Sequence, residues 1–331
     1  MYLLVPAKFE QANKEFLWFK DPRARELAHE KGVKFGFEIK GDPEVITKSL
    51  PVYWGYHFSK DVSSTWYYHP EQRDNILRRF EKVASFKPAY INFHGAHLAW
   101  HLPPKDRIER YANHSQPKEY LKILEANIEM FAKFKKIFPN ITLENTPLAS
   151  FYEDSFYTYL CSGVGRLDDL IYLEEKAGLE ILLDAEHLIL TLNFLNREKN
   201  YKNLPVDENA AENLEISKIF GYVIAKDVIP YVKESVDYSA MVKKIGAKRY
   251  HVTGSTQDAI FGIRDVSHGP IEVDDKTFRK NLRPILDQKP ESILIETANS
   301  IWYPKIYGYL RPNETELSFY HLCEILLEEL D

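Results

Sequence analysis

The sequence predicts a single-domain (β/α)8 barrel with long loops at the carboxyl ends of its strands, and three observations carry this prediction. Apolar runs of strand length alternate with stretches whose apolar residues recur at helical spacing. Eight such runs can be identified, which suits a closed parallel barrel better than an open sheet. The length of 331 residues lies within the range of one such domain, which we therefore expect to span residues 1–331.

The predicted strands are short runs rich in β-branched, aromatic and leucine side chains, which are typical of buried parallel strands. In chain order they cover residues 2–6, 33–40, 52–58, 89–93, 141–143, 179–183, 249–252 and 292–295. Most of them are followed by a helix or by a long connection, as a parallel barrel requires.

The predicted helices have apolar residues spaced at three and four, and several have a recognisable end signal. Gly32 and Gly178 follow two of them, and Ser115 precedes a third as a candidate N-cap. The expected helical ranges are 11–30, 74–86, about 115–138, 167–176, 278–286 and 317–330.

Two connections are longer than a barrel needs, at residues 98–116 and 190–248. The second is enlarged and is predicted to hold an inserted helix around residues 208–223. Because loops at the carboxyl face of a barrel shape its substrate site, both are expected to border the mouth.

Composition excludes several classes of protein. The net charge of −6 gives no global attraction to nucleic acid. No run approaches about 18 uncharged apolar residues, so a membrane-spanning helix is not expected. The amino terminus lacks the features of a signal peptide, and the two cysteines, Cys161 and Cys323, have no metal or redox spacing. A cytoplasmic protein without a membrane partner is predicted, while its oligomeric state is left open.

Histidines and carboxylates follow most of the predicted strands. In chain order these residues are His57, His94, Glu144, Asp184, His251 and Glu296, with His187 three residues after Asp184 and His268 in the loop before the eighth strand. The carboxyl ends of barrel strands meet at one mouth. Unpaired charges buried there are costly, and a bound metal is the simplest compensation. Imidazole and carboxylate without thiolate favour zinc, manganese or iron.

The remaining histidines have less specific positions. His97 and His101 lie just beyond the fourth strand and are candidates for contacts with the ligands or the substrate. The others fall on predicted helices or loops and are interpreted as surface or packing residues: His29, His69, His114 and His321.

Four segments resemble the endonuclease IV family of abasic-site DNA repair enzymes, within the wider xylose-isomerase-like barrel superfamily. They are Asn92-Phe93-His94-Gly95-Ala96-His97, Glu144-Asn145-Thr146, Asp184-Ala185-Glu186-His187, and Phe261-Gly262-Ile263-Arg264 followed by His268. The resemblance runs from about residue 50 to residue 297, and it is the order and strand context of the segments that make it specific.

The resemblance implies a site for two or three divalent metals, with zinc as the expected ion. One metal would be held by His57, His94 and Glu144. A second would share Glu144 and take Asp184, His251 and Glu296, and a third would use His187 and His268. The implied activity is that of a hydrolase, in which a metal-bound hydroxide attacks a phosphodiester in line and DNA at abasic sites is the substrate.

The chain departs from that family at two short motifs. The family's aspartate for the third metal lies two residues before its histidine, where this chain has Val266. Asp265 is one residue earlier, on the other face of an extended segment, and is only a tentative ligand. Lys60 and Asp61 replace a Tyr-Leu pair that wedges into DNA. These departures, with the enlarged connection at 190–248, affect DNA binding more than the metal site.

A sugar isomerase or epimerase of the same superfamily is the alternative. Such enzymes resemble this chain at Glu144, Asp184, His251 and Glu296, where one metal sits between two catalytic glutamates, Glu144 and Glu296. The substrate would then be a sugar or another small molecule rather than DNA or a small phosphoester. An iron-dependent oxidative enzyme and a non-catalytic barrel are also left open. The hydrolase hypothesis requires His57 and His94 to face the mouth, whereas outward-facing rings would favour the isomerase.

Overall fold

The structure is a computed structural model of the 331-residue chain. It describes residues 1–12, 22–58, 66, 69–95, 117–146, 149–152, 155–158, 167–189, 192, 237–252, 275–296 and 322–330.

Eight parallel strands close into one barrel, so the predicted fold class is confirmed, as a single domain. Following the barrel around, the order is β1-β2-β3-β4-β5-β8-β9-β10, and β10 pairs with β1 to complete the ring. The strands are β1 (Tyr2–Ala7), β2 (Lys34–Lys40), β3 (Tyr53–His57), β4 (Tyr90–His94), β5 (Ile141–Glu144), β8 (Glu180–Asp184), β9 (Arg249–Val252) and β10 (Ser292–Ile295). Each begins and ends within two residues of the range that the apolar pattern predicts.

An antiparallel hairpin that was not predicted follows β5. Its strands are β6 (Ala149–Tyr152) and β7 (Ser155–Thr158), and Phe151 pairs with Phe156 across it. Because β5 ends at the mouth of the barrel, the hairpin continues the chain from that face.

Helices lie between the strands along the chain and after the last strand. They are α1 (Phe9–Ala12), α2 (Pro22–Glu30), α3 (Arg73–Ser85), α4 (Pro117–Ile137), α5 (Leu167–Ala177), α6 (185–189), α7 (Tyr238–Ile245), α8 (Asp275–Leu286) and α9 (322–328). The helix expected over 11–30 is described only at α1 and α2. The inserted helix expected at 208–223 and the long connection at 98–116 lie outside the described residues. None of the helices in the described ranges is long and apolar enough to cross a membrane.

Helix α7 lies within the connection that was predicted to run from residue 190 to residue 248. The Asp237 side chain caps its first turn by accepting the backbone N–H of Ala240 at 3.0 Å. Gly246 ends it with a φ of 60°, in the left-handed region that glycine adopts without a steric penalty. Both residues are typical end signals of a helix.

Apolar side chains pack on both faces of the strands, outside the barrel and inside it. Phe58, Phe80, Phe93 and Phe134 stack between the barrel and its helices, with ring centroids as close as 4.4 Å. Inside the barrel a smaller cluster of Leu4, Tyr90, Leu182 and Leu294 fills the interior. This inner cluster closes the barrel below the mouth, so the polar residues at the strand ends line a site with a floor.

Strand register places the polar strand ends side by side. Lys40 is paired with His57, His94 with Glu144, and Asp184 with His251. Neighbouring strands in a parallel ladder carry these residues at one level, at the mouth.

Candidate metal centre

Nine polar side chains from six strands and two strand-following segments lie together at the mouth. All but Lys40 belong to buried residues, and the Lys40 side chain is 21% exposed. They are Glu38, Lys40, His57, His94, Glu144, Asp184, His187, His251 and Glu296. The structure thus brings together every predicted site residue that it describes.

Glu144 lies at the centre of this group and presents its two oxygens to different partners. Oε2 is 2.8 Å from Nε2 of His57 and 3.7 Å from Nε2 of His94. Oε1 is 3.3 Å from Nδ1 of His251. A carboxylate in this position can bridge two sets of donor atoms.

The first set consists of His57, His94 and Glu144, whose donor atoms lie within 4.8 Å of one another. His57 donates its Nδ1–H to the carbonyl oxygen of Phe58 at 2.7 Å. That bond leaves Nε2 of His57 directed at Glu144, as the nitrogen that could bind a cation after losing its proton. The centroids of the two imidazole rings are 5.0 Å apart.

The second set consists of Glu144, Asp184, His251 and Glu296, with donor atoms that also lie within 4.8 Å of one another. Nδ1 of His251 is 2.8 Å from Oε2 of Glu296. Among the described residues no group donates a hydrogen bond to Oδ2 of Asp184, although that atom is buried. Three buried carboxylates and one imidazole are a suitable donor set for a divalent cation, so the residues present fit a metal.

Asn92, within β4, and Asn145, just after β5, fix the carboxylates. The Asn92 amide donates to Oε2 of Glu144, and the Thr142 hydroxyl donates to Oδ1 of Asn92 at 2.8 Å. Asn145 holds Asp184 at both backbone groups, by accepting its N–H at 2.7 Å and donating to its carbonyl at 2.9 Å. These contacts limit the positions that the carboxylates can adopt.

Burial and charge shift the pKa values of the second set in opposite directions. Burial tends to raise the pKa of Glu144, but the positive charges of His94, His251 and His57 outweigh it and hold the pKa well below its usual value. Burial and the negative charges of Glu144 and Glu296 together raise the pKa of Asp184 to about 8. Without a metal, therefore, Glu144 is ionised and Asp184 is protonated at neutral pH.

His251 lies among three carboxylates. Burial tends to lower the pKa of His251, but Glu38, Glu144 and Glu296 outweigh it and raise the pKa well above its usual value. In the absence of a metal the ring is therefore positively charged, and a cation bound at Nδ1 would displace its proton.

Glu38 and Lys40 of β2 were not among the predicted site residues. Glu38 accepts from Nε2 of His251 at 3.0 Å, and Lys40 forms an ion pair with Oε1 of Glu296. Burial tends to lower the pKa of Lys40, but Glu296, Glu38 and Glu144 outweigh it and raise the pKa above its usual value. The available signal was a glutamate inside the apolar run FGFEIK, where a buried charge requires a partner.

Of the residues predicted to bind the third metal, the structure describes only His187. His187 donates its Nδ1–H to the carbonyl of Asn145 at 2.9 Å, and this nitrogen is 3.3 Å from Oδ2 of Asp184. His187 thus lies beside the second set. The other residues predicted for this position, His268 and Asp265, fall outside the described residues, as do His97, His101, His114 and His321. His29 and His69 are exposed, as expected of surface residues.

Comparisons with solved structures find barrels of the same architecture. A putative sugar phosphate isomerase/epimerase from Anabaena variabilis ATCC 29413 is 12% identical to this chain, with a TM-score of 0.51. The match covers 99% of this chain and 98% of that protein. A xylose isomerase domain protein from Planctomyces limnophilus is 10% identical over 100% and 97%, with a TM-score of 0.47. D-allulose 3-epimerase from a Methylomonas species is 14% identical over 88% and 84%, with a TM-score of 0.45.

No protein-family model matches the sequence, and the comparison with curated proteins finds no significant match. At these identities the structural likeness shows the fold alone. The likeness does not show the narrower resemblance to endonuclease IV.

Proposed function

We propose that the chain is a divalent-metal-dependent isomerase or epimerase that acts on a small hydroxycarbonyl compound, such as a sugar. The supporting observation is the position of two carboxylates around one imidazole. Glu144 of β5 and Glu296, which follows β10, approach Nδ1 of His251 at 3.3 and 2.8 Å. Strands β8 and β9 separate them in the barrel, so the two carboxylates reach the site from different sides.

Glu144, Asp184, His251 and Glu296 would hold the cation. A divalent ion bound there would act as a Lewis acid that polarises the substrate carbonyl. The donor set has three carboxylates, one imidazole and no thiolate. These ligands favour manganese or magnesium, whereas structural zinc sites usually contain cysteine.

The two glutamates supply the acid and the base. Glu144 is ionised and can remove a proton from the carbon next to the carbonyl. Glu296 would return a proton to the other face after taking one from the ammonium of Lys40, its partner at Oε1. Solvent would restore that proton to Lys40 and accept the one that Glu144 removed. Removal on one face and return on the other inverts that carbon, which is an epimerisation.

The comparisons agree with this proposal. The neighbour with the TM-score of 0.51 is described as a putative sugar phosphate isomerase/epimerase. Its match with this chain covers 98% of its length. Sugar phosphates should therefore be among the first substrates tested.

The test is a proton-exchange assay on the manganese-loaded protein in D2O. A panel of ketoses, aldoses and their phosphates would be incubated, and products would be separated while deuterium at the carbon next to the carbonyl is measured by NMR. We expect conversion of at least one substrate with deuterium incorporation. Glu144→Gln should lower the turnover about 10²–10⁴-fold, as expected for loss of a general base.

Glu180→Gln is the matched control, because it removes a carboxylate of the same size at the opposite end of the barrel. It should retain the wild-type turnover. A metal-loaded wild-type protein that converts no member of the panel and incorporates no deuterium would contradict the proposal.

Phosphodiester hydrolysis is the second candidate, and the observation that favours it is the first donor set. His57 and His94 face Glu144 at the mouth, whereas a one-metal isomerase does not need them as ligands. The two donor sets, which share Glu144, would hold two cations, and these would neutralise charge on a phosphoryl group. The substrate would be DNA at an abasic site or a small phosphoester, and zinc would be the expected ion.

His94→Ala separates the two candidates. It removes a donor of the first set only, so it should abolish phosphodiester cleavage but largely spare the epimerase. Abasic DNA and a chromogenic phosphodiester would be the substrates for the hydrolase assay. Cleavage by the wild-type protein that is lost in His94→Ala, together with an inactive sugar panel, would establish the hydrolase in place of the isomerase.

A further inference from the structure

Glu38 is a fully buried charge that belongs to neither donor set. It lies within β2, its relative exposure is 0%, and its two oxygens have different partners. Oε2 receives the Tyr90 hydroxyl at 2.6 Å and faces Nε2 of His251 at 3.0 Å. Oε1 is 3.8 Å from the ammonium of Lys40. Since burying a carboxylate is costly, its position calls for an explanation beyond packing.

The two nitrogens of His251 point at different carboxylates. Nδ1 faces the second donor set, whereas Nε2 faces Glu38. A carboxylate only accepts hydrogen bonds, so Nε2 must carry a hydrogen where it meets Glu38. Nδ1 is then the nitrogen whose lone pair can be used for a cation.

Tyr90 holds Glu38 from below. Its ring belongs to the inner apolar cluster, and its hydroxyl finds in Glu38 the polar partner that a buried tyrosine needs. The ring lies against β3 at Gly55, where a Cβ atom would overlap it. Gly55 thus leaves the space through which the hydroxyl reaches the carboxylate.

We propose that Glu38 is a positioning residue, which holds His251 with Nδ1 directed at the metal and is itself held by Tyr90. The proposal depends on the metal centre of the proposed function, but not on the reaction performed there. A carboxylate behind a metal-bound histidine fixes the orientation of the ring and raises its strength as a ligand. Removing such a partner typically costs about 10–100-fold in metal affinity.

The experiment is a cobalt titration of the full chain after chelator treatment, followed by the visible absorption of bound Co²⁺. Glu38→Gln should weaken Co²⁺ binding about 10–100-fold and change the absorption spectrum, because the ring of His251 is no longer held in one orientation. Tyr90→Phe keeps the carboxylate and should weaken binding by a smaller factor in the same direction. Thermal unfolding of the metal-free variants would be measured in parallel.

Glu180→Gln is again the control, because it removes a carboxylate that binds a buried arginine away from the mouth. It should lower the unfolding temperature while leaving the Co²⁺ affinity and spectrum unchanged. A purely structural role of Glu38 would give the same pattern in Glu38→Gln, and that result would overturn the proposal. If Glu38→Gln does not fold, wild-type binding and spectrum in Tyr90→Phe would overturn it. A wild-type chain that binds no Co²⁺ would instead disprove the metal centre, and this inference with it.

Discussion

The two ends of the barrel both contain buried charges, but they balance them differently. At the amino end Arg249 binds Glu180 through one nitrogen and Glu291 through another, the latter at 2.8 Å. Tyr53 also donates to Glu291 at 2.8 Å, and Lys248 lies 3.4 Å from Glu180. Two cations thus face two carboxylates, and both carboxylate side chains are partly exposed, at 45% and 39%.

At the mouth the carboxylates are more numerous and more deeply buried. Glu38, Glu144 and Asp184 are all at most 1% exposed, and Oδ2 of Asp184 accepts no hydrogen bond within the described part of the chain. Asp184 also has its pKa raised to about 8 by burial and by its negative neighbours. The amino end is arranged for stability, whereas the mouth keeps donor atoms in an unfavourable environment that a cation would relieve.

Asp184→Asn should have the largest effect at the mouth. The amide resembles the protonated carboxyl, so the metal-free variant should be about as stable as the wild type. It should nevertheless lose more than about 100-fold in metal affinity, since even outer partners of ligands typically cost 10–100-fold. Calorimetric titration with Mn²⁺ and thermal unfolding in chelator would measure the two quantities. If Asp184→Asn were less stable than the wild type but bound Mn²⁺ normally, Asp184 would serve stability and not metal binding, which would contradict the contrast between the two ends.

Arg249→Met should show the opposite behaviour. The substitution leaves Glu180 and Glu291 without their main partner, but water reaches both side chains and reduces the penalty. We expect a loss of about 1–3 kcal/mol in the free energy of unfolding, below the full value for a broken buried pair. Urea denaturation would measure it. The Mn²⁺ affinity should be unchanged, and a large drop in affinity would show that the two ends are coupled.

The pH dependence of metal binding is the next expected effect. In the metal-free protein Asp184 is protonated below about pH 8 and His251 is charged, because their pKa values are raised. Both protons must leave when a cation binds, so the affinity should increase from pH 6 to pH 8. Calorimetry in buffers of different ionisation enthalpy would also detect the released protons. An affinity that is flat over this range would mean that neither group is a ligand.

His57→Ala is the variant with the smallest expected effect on an epimerase. Its donor atom belongs to the first set, and the proposed reaction uses the second. The turnover of the manganese-loaded variant should therefore fall only slightly. Element analysis before and after the substitution would show whether a further ion depends on this ring. A loss of turnover as large as that in Glu144→Gln would favour the two-metal hydrolase.

The strands could be predicted because buried parallel strands are continuous apolar runs, and that pattern is local. The polar residue at the end of each run could be predicted for the same reason. Register and partners depend on the whole barrel, so the contact between Glu38 and His251, which are 213 positions apart, had no local signal. The hairpin of β6 and β7 was missed because the sequence between its strands, Glu153-Asp154, has none of the Gly or Asn signals on which a hairpin prediction relies.

The most direct measurement is anomalous diffraction at the manganese edge from crystals grown with Mn²⁺. We predict a peak that Glu144, Asp184, His251 and Glu296 surround, with Nδ1 of His251 as its nitrogen ligand. Crystals of Asp184→Asn should lack this peak under the same conditions. A well-ordered mouth without an anomalous peak in the wild-type protein, or a peak bound by none of these four residues, would contradict the metal centre.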